Sequence, residues 1–201
     1  MVKDWKGNNK STFVTLGASN HSDEERQAQD YYATEPKCAI DLLNVLPELD
    51  KIWECACGER HLAKEFEKVG KLAKASDLIN RNFGEIQDFL SYTLFDTATN
   101  KPFKDIVTNP PYSLAEDFLL KAMELLEDNM YYCALLKITW LEGKKRGEIF
   151  KKHPPKFVYV YSNRINCAMN GDFEKYKSKA ICYCWYIWQK GYTGNTVVKW
   201  I

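Results

Sequence analysis

Short apolar runs alternate with helical stretches along most of this chain, and that alternation leaves few architectures open. Lys51-Ile52-Trp53-Glu54-Cys55 reads as a strand, Ala56-Cys57-Gly58 as a small-residue turn, and Arg60 to Val69 as a helix ended by Gly70. Leu72 to Ser76 is a second strand finishing at Asp77, Ile86 to Leu90 a third, and Lys104 to Thr108 a fourth. The fourth runs into Asn109-Pro110-Pro111-Tyr112. Ser113-Leu114-Ala115-Glu116 then has the form of a capping box, opening a helix with Phe118, Leu119, Met123 and Leu126 on its inner side. Tyr131 to Ile138, Lys156 to Tyr161 and Ala180 to Trp188 supply three more strands, with a charged helical stretch from Gly143 to Lys152. Upstream, Thr34 is placed to cap a helix begun by Glu35-Pro36, carrying Ile40, Leu43 and Leu46 and stopped by Pro47. The pattern predicts an α/β fold: a doubly wound, mostly parallel, seven-stranded sheet with helices on both faces. Ligands in such sheets bind beyond the carboxyl ends of the strands, at the point where strand order reverses.

With 201 residues there is room for one compact domain, expected over 31–201, behind a polar arm over 1–30 that is read as mobile and ends near Asp23-Glu24-Glu25-Arg26. Hydrophobic residues at 45% and charged residues at 27% fit an ordinary globular protein. No apolar run is long enough for a membrane span, and no apolar segment follows the charged N-terminus as a secretory signal would. Seven cysteines without scaffold spacing point to a reduced compartment, so a cytoplasmic location is expected. Charge is unevenly spread. From Lys137 onward 13 Lys and Arg face 4 Asp and Glu, a local +9, whereas residues 1–112 carry 14 against 18, or −4. A basic last third suits a polyanionic partner, with Lys144, Lys145, Arg146, Lys151, Lys152 and Arg164 as candidate phosphate contacts.

The most specific signal is Asn109-Pro110-Pro111-Tyr112. Two prolines after a buried strand fix the backbone and remove two donors, leaving carbonyls facing outward. The asparagine oxygen and a proline carbonyl can accept both hydrogens of an amino group, which aims its lone pair at an electrophilic methyl. Tyr112 offers a flat surface for a planar base. The second constellation is Glu54-Cys55-Ala56-Cys57-Gly58, whose small residues let a ligand approach the backbone before a helix N-terminus. Asp77 after the second strand can hold two ribose hydroxyls, and Asp88-Phe89 can serve an adenine amino group and ring.

On these residues the sequence resembles the adenine-N6 DNA methyltransferases of the amino-methyltransferase superfamily, notably small stand-alone enzymes of phage or prophage type. The family's Asn/Asp-Pro-Pro-Tyr/Phe loop matches Asn109 to Tyr112, its cofactor loop Glu54 to Gly58, and its flanking segment Asp30 to Pro36. The order of parts is that of the gamma group, and the match covers roughly residues 30 to 190. The resemblance implies a Rossmann-like class I methyltransferase fold and S-adenosylmethionine as cofactor. It also implies that Tyr32 and Thr34 touch the methionine end, Glu54 to Gly58 cradle the cofactor, Asp77 binds ribose, and Asp88 and Phe89 bind adenine. Three positions depart from the pattern. Cys55 stands where many relatives have proline, Arg60 where they have a second glycine, and Cys167 where an aromatic often sandwiches the extruded base.

DNA is the partner the resemblance implies, acted on by a monomer or homodimer without a separate target-recognition domain. RNA-adenine and protein-glutamine methyltransferases carry similar loops and remain alternatives, as does a degenerate fold that binds nucleic acid without catalysis. Cys55/Cys57 and Cys182/Cys184 lack the spacing of structural zinc knuckles, so no metal is expected.

Overall fold

A computed structural model describes residues 32–99, 102–169 and 181–201. The segment over 1–30 read as a mobile arm lies outside the described residues. The strands are β1 (Tyr32–Thr34), β2 (Ile52–Glu54), β3 (Leu72–Asp77), β4 (Glu85–Ile86), β5 (Ile106–Thr108), β6 (Tyr131–Lys137), β7 (Phe157–Val160), β8 (Cys167–Met169), β9 (Tyr183–Gln189) and β10 (Val197–Trp200). The helices are α1 (Lys37–Val45), α2 (Ala63–Lys68), α3 (Leu94–Thr99), α4 (Ala115–Leu125) and α5 (Lys144–Lys152).

Eight strands form one sheet in the order β4-β3-β2-β5-β6-β9-β7-β10, and β1 pairs with β8 apart from it. Every neighbour in the large sheet is parallel except β9, which runs antiparallel to both β6 and β7. The doubly wound architecture is therefore as the alternation implied, but the sheet has eight strands instead of seven. The additional strand is β10, which pairs with β7 from Val197↔Phe157 to Trp200↔Val160.

Burial follows the two-residue period of a strand covered on both sides. Along β6 and β9, Tyr132, Ala134, Leu136, Cys184, Tyr186 and Trp188 enter one core with α4. Their neighbours Tyr131, Cys133, Leu135, Tyr183, Trp185 and Ile187 enter the opposite core with α1. The indole of Trp185 donates to the Cys38 carbonyl and to the Tyr161 hydroxyl, both at 3.1 Å, fastening α1 to the sheet. At the amino ends of the strands, the fully buried Asp105 carboxylate accepts from the backbone N–H of Asp50 at 3.0 Å and of Tyr131 at 2.8 Å. Burial raises its pKa above the usual carboxylate range, and those two donors work against the rise.

Three local expectations are corrected. Thr34 caps no helix: it belongs to β1, and α1 starts after Pro36. Ser113 does not cap α4 either, because Tyr112–Leu114 forms a 3-10 turn in which the Leu114 N–H donates to the Pro111 carbonyl. The third strand shrinks to Glu85–Ile86, since Asp88 accepts from the Leu90 N–H and turns the chain into a 3-10 turn over Phe89–Ser91. Among the described residues, no helix is long and apolar enough to cross a membrane.

Candidate active site

Strand order reverses between β2 and β5, and one cleft opens at the carboxyl ends of those strands. Of the residues singled out from sequence, Thr34, Glu54, Cys55, Ala56, Cys57, Asp77, Asp88 and Phe89 line it together with Asn109, Pro110, Pro111 and Tyr112. Tyr32 contributes backbone to β1, and its side chain lies outside the described residues. Gly58 does not face the cleft; it acts one layer back.

The loop after β2 is held by its neighbour. Cys57 N–H donates to the Ser76 carbonyl at 2.9 Å, and Gly58 N–H to Asp77 Oδ2 at 2.8 Å. Asp77 Oδ1 accepts from the Ile79 N–H at 3.0 Å. A carboxylate has about four acceptor positions, so these two bonds leave it capacity to take a pair of hydroxyls from the cleft. Gly58 turns with φ +51°, and Arg60 follows at φ +68°, the left-handed region that favours glycine. Arg60 does not narrow the cleft: its guanidinium lies 4.8 Å over the Phe83 ring and 3.6 Å from Glu67 Oε2.

Glu54 is the unusual charge. It is 2% exposed, and its Oε2 has no hydrogen-bond partner among the described residues. Burial pushes its pKa well above the usual carboxylate range and the Asp77 carboxylate adds to the rise, while the Ala63 N–H opposes it. A buried acid facing an open cleft favours a cationic ligand that would supply the missing partner. Gln87, also lining the cleft, has a buried Oε1 with no hydrogen-bond partner among the described residues. The thiols of Cys55 and Cys57 are pushed up by burial, that of Cys57 to about 12, and neither is a thiolate at neutral pH.

Asn109 follows β5 directly. Its amide Nδ2 donates to Thr34 Oγ1 at 2.9 Å, across 75 positions of sequence. That bond points the nitrogen at β1 and turns the carbonyl oxygen the other way, the orientation an acceptor for an amine needs. Pairing of β1 with β8 places Cys167 opposite Thr34, and burial pushes the Cys167 thiol up to about 12. The Tyr112 hydroxyl is also buried, and burial raises its pKa well above the usual phenol value. An aromatic ring does lie beside Tyr112, but it comes from β9: Tyr183, with centroids 6.2 Å apart and planes at 31°.

Phe89 is mainly a core residue. It is 2% exposed, packs edge-on to Trp53 at 5.2 Å and tilted against Phe118 at 4.9 Å, and shows the cleft one side. Sequence reasoning missed His61, Leu78, Ile79, Arg81, Gln87 and Leu114, which also line the cleft. Leu78 and Ile79 could have been found as the apolar pair directly after Asp77. Burial lowers the pKa of His61, keeping the ring neutral at pH 7.

The candidate phosphate contacts lie elsewhere. Lys144, Lys145, Arg146, Lys151 and Lys152 all stand on α5, and Arg164 is exposed between β7 and β8. Lys145 and Arg146 are engaged by Glu116 at 2.5 and 3.9 Å, and Lys151 by Glu148 at 2.7 Å. Among the described residues, no cluster of His, Cys, Asp and Glu could hold a metal ion.

No protein-family model matches the chain. It is 25% identical over 164 residues to an uncharacterised adenine-specific methylase of Mycoplasma pneumoniae, a match spanning 71% of this chain and 36% of that relative. The chain thus spans about a third of the curated relative it matches. Among solved structures, it resembles a candidate class I S-adenosylmethionine-dependent methyltransferase of Listeria monocytogenes, with TM-score 0.57 and 13% identity over 94% of this chain and 71% of that one. It also resembles the M protein of the type I restriction enzyme EcoKI, with TM-score 0.51 and 12% identity over 84% and 46%. The fold is that of the Rossmann-like class I methyltransferases.

Proposed function

We propose that this chain is an S-adenosylmethionine-dependent methyltransferase acting on the exocyclic N6 amino group of adenine in DNA. The observation that carries the reading is the cleft itself, where Asn109-Pro110-Pro111-Tyr112 faces the Glu54–Asp77–Asp88 wall across the switch point. The adenine-specific methylase similar to it and the restriction-system M protein that shares its fold support the same reading.

The donor set suits the cofactor. Glu54 would meet the ammonium of the methionine end, Asp77 the ribose hydroxyls, and Asp88 with Gln87 the adenine edge. When bound, S-adenosylmethionine supplies an electrophilic methyl on a sulfonium. Asn109 Oδ1 and the Pro110 carbonyl accept the two amine hydrogens of an extruded adenine, and Tyr112 stacks on its ring. Held this way, the amine would be oriented for in-line transfer, and positioning would provide most of the acceleration. Transfer would convert the sulfonium to a thioether and leave a cationic, strongly acidic N-methylated amine, whose proton would pass to water, so no strong base is required.

The test is transfer of labelled methyl from S-adenosylmethionine to unmethylated duplex DNA, with structured RNA and protein as parallel acceptors, and identification of the modified nucleoside. N6-methyladenine from DNA is the expected product. A modified glutamine, or label only in RNA, would replace this reading.

A further inference from the structure

Lys137, the last residue of β6, stands against the Asn109–Tyr112 loop. Its ammonium lies 5.0 Å from the centre of the Tyr112 ring. The register of β6 with β9 sets it opposite Tyr183, and the Tyr186 hydroxyl donates to its backbone carbonyl at 3.1 Å. The side chain is half-buried and has no ion pair among the described residues. The cations of α5 make the contrast, since Lys145, Arg146 and Lys151 each face a glutamate. A half-buried cation that leans on a ring for want of an anion marks a place where an anion is missing.

The ring it leans on is the one proposed to stack on the base, and a purine stacked on the face that the ammonium covers would have to displace it. An isolated purine would have to evict the cation with nothing in exchange. A nucleotide within a strand carries a phosphate at a fixed short distance from its base, so the displaced ammonium gains a partner as it leaves the ring. We propose that Lys137 anchors the phosphodiester flanking the nucleotide that enters against Tyr112, exchanging the aromatic ring for a phosphate oxygen. The proposal rests on the DNA-methylating reading above. It couples capture of the base to neutralisation of the backbone, and it makes a nucleotide embedded in a strand a better substrate than free adenosine.

The experiment compares wild type, Lys137→Met and Lys137→Arg for binding to fluorescent duplex DNA across a salt series, and for methylation of unmethylated plasmid DNA. Loss of one phosphate contact lowers the slope of log affinity against log salt by about 0.9, which is the result expected for Lys137→Met. Its KM for DNA should rise roughly tenfold, with the loss falling on KM more than on kcat, and Lys137→Arg should restore slope and KM together. A merely structural lysine would lower the melting temperature without moving the salt slope. An unchanged slope in Lys137→Met, or tighter DNA binding than wild type, overturns the proposal and leaves the lysine as a plug over Tyr112. Wild-type methylation is read in the same series, so an inactive wild type refutes the proposed function, whereas an active wild type with an unchanged slope refutes only the anchor.

Discussion

On one flank of the large sheet, β2, β3 and β4 contribute three, six and two residues and end in the loops that line the cleft. On the other, β6 and β9 run seven residues each and pair at every position from Tyr131↔Gln189 to Lys137↔Tyr183. The first flank buries Glu54 with an unmet acceptor and bends through left-handed residues at Gly58 and Arg60. The second buries Tyr132, Tyr186, Trp185 and Trp188 with almost no exposure. On the second flank the indole N–H groups of Trp185 and Trp188 and the Tyr186 hydroxyl are bonded within the chain, and of these four only the Tyr132 hydroxyl lacks a partner among the described residues, whereas the first flank keeps the Glu54 and Gln87 acceptors open beside a cleft. The Asn109–Tyr112 loop follows β5, the strand between the two flanks, and draws on both. It takes Thr34 to aim Asn109, and Tyr183 with Lys137 to set Tyr112.

That division can be broken by substitution. The largest separation is expected at Asn109→Ala, which removes the acceptor for the amine and should cut single-turnover methylation by about 100- to 10,000-fold. Cofactor affinity and melting temperature should barely move; methylation at the wild-type rate would reduce the loop to a turn before α4. The mirror case is Trp185→Ala, which opens a cavity between β9 and α1 and strands the Cys38 carbonyl. It should cost about 3–5 kcal/mol in denaturant unfolding without contact to the cleft. A smaller loss would mean that β9 is less essential than its burial indicates.

Asp77→Ala should weaken S-adenosylmethionine by about 1–3 kcal/mol in calorimetry, through the lost ribose acceptor and a loosened Gly58 turn. Thr34→Val keeps the shape of β1 but takes away the acceptor for Asn109 Nδ2. It should lower kcat by a factor corresponding to about 1 kcal/mol, with little change in KM for cofactor.

Glu54 sharpens the contrast through pH. Its folded pKa is raised, so the folded state holds a proton that the unfolded chain has released, and the residue's contribution to stability declines as pH rises from the ordinary carboxylate value toward the folded one. Glu54→Gln should therefore stabilise the ligand-free protein more at pH 8 than at pH 4, measured by thermal melts, while weakening cofactor binding. A variant destabilised at pH 8 would mean that the buried carboxylate is already compensated.

Much of this was legible in the residues. The alternation of strands and helices gave the doubly wound sheet, and strand ends marked Glu54, Asp77 and Asn109, because a parallel sheet gathers its carboxyl ends on one side. What escaped depended on distant partners. Val197 to Trp200 is short and exposed, and only its pairing with β7 makes it a strand. Thr34 looked like a helix cap because local signals are read first, yet its hydroxyl is bonded to a residue 75 positions away. Tyr183 and Lys137 reach Tyr112 only through the β6–β9 register, which no local pattern encodes.

The bond between Thr34 and Asn109 has a thermal consequence. The β1–β8 pair is three residues long and lies outside the main sheet, so it can open while the eight strands stay paired. Once it opens, the Asn109 amide loses its bond to Thr34 and can rotate between carbonyl-forward and nitrogen-forward states. Only one of those can receive an amine. Warming should therefore silence catalysis several degrees before the tryptophans of β9 report unfolding, and cooling should bring activity back without any refolding of the sheet.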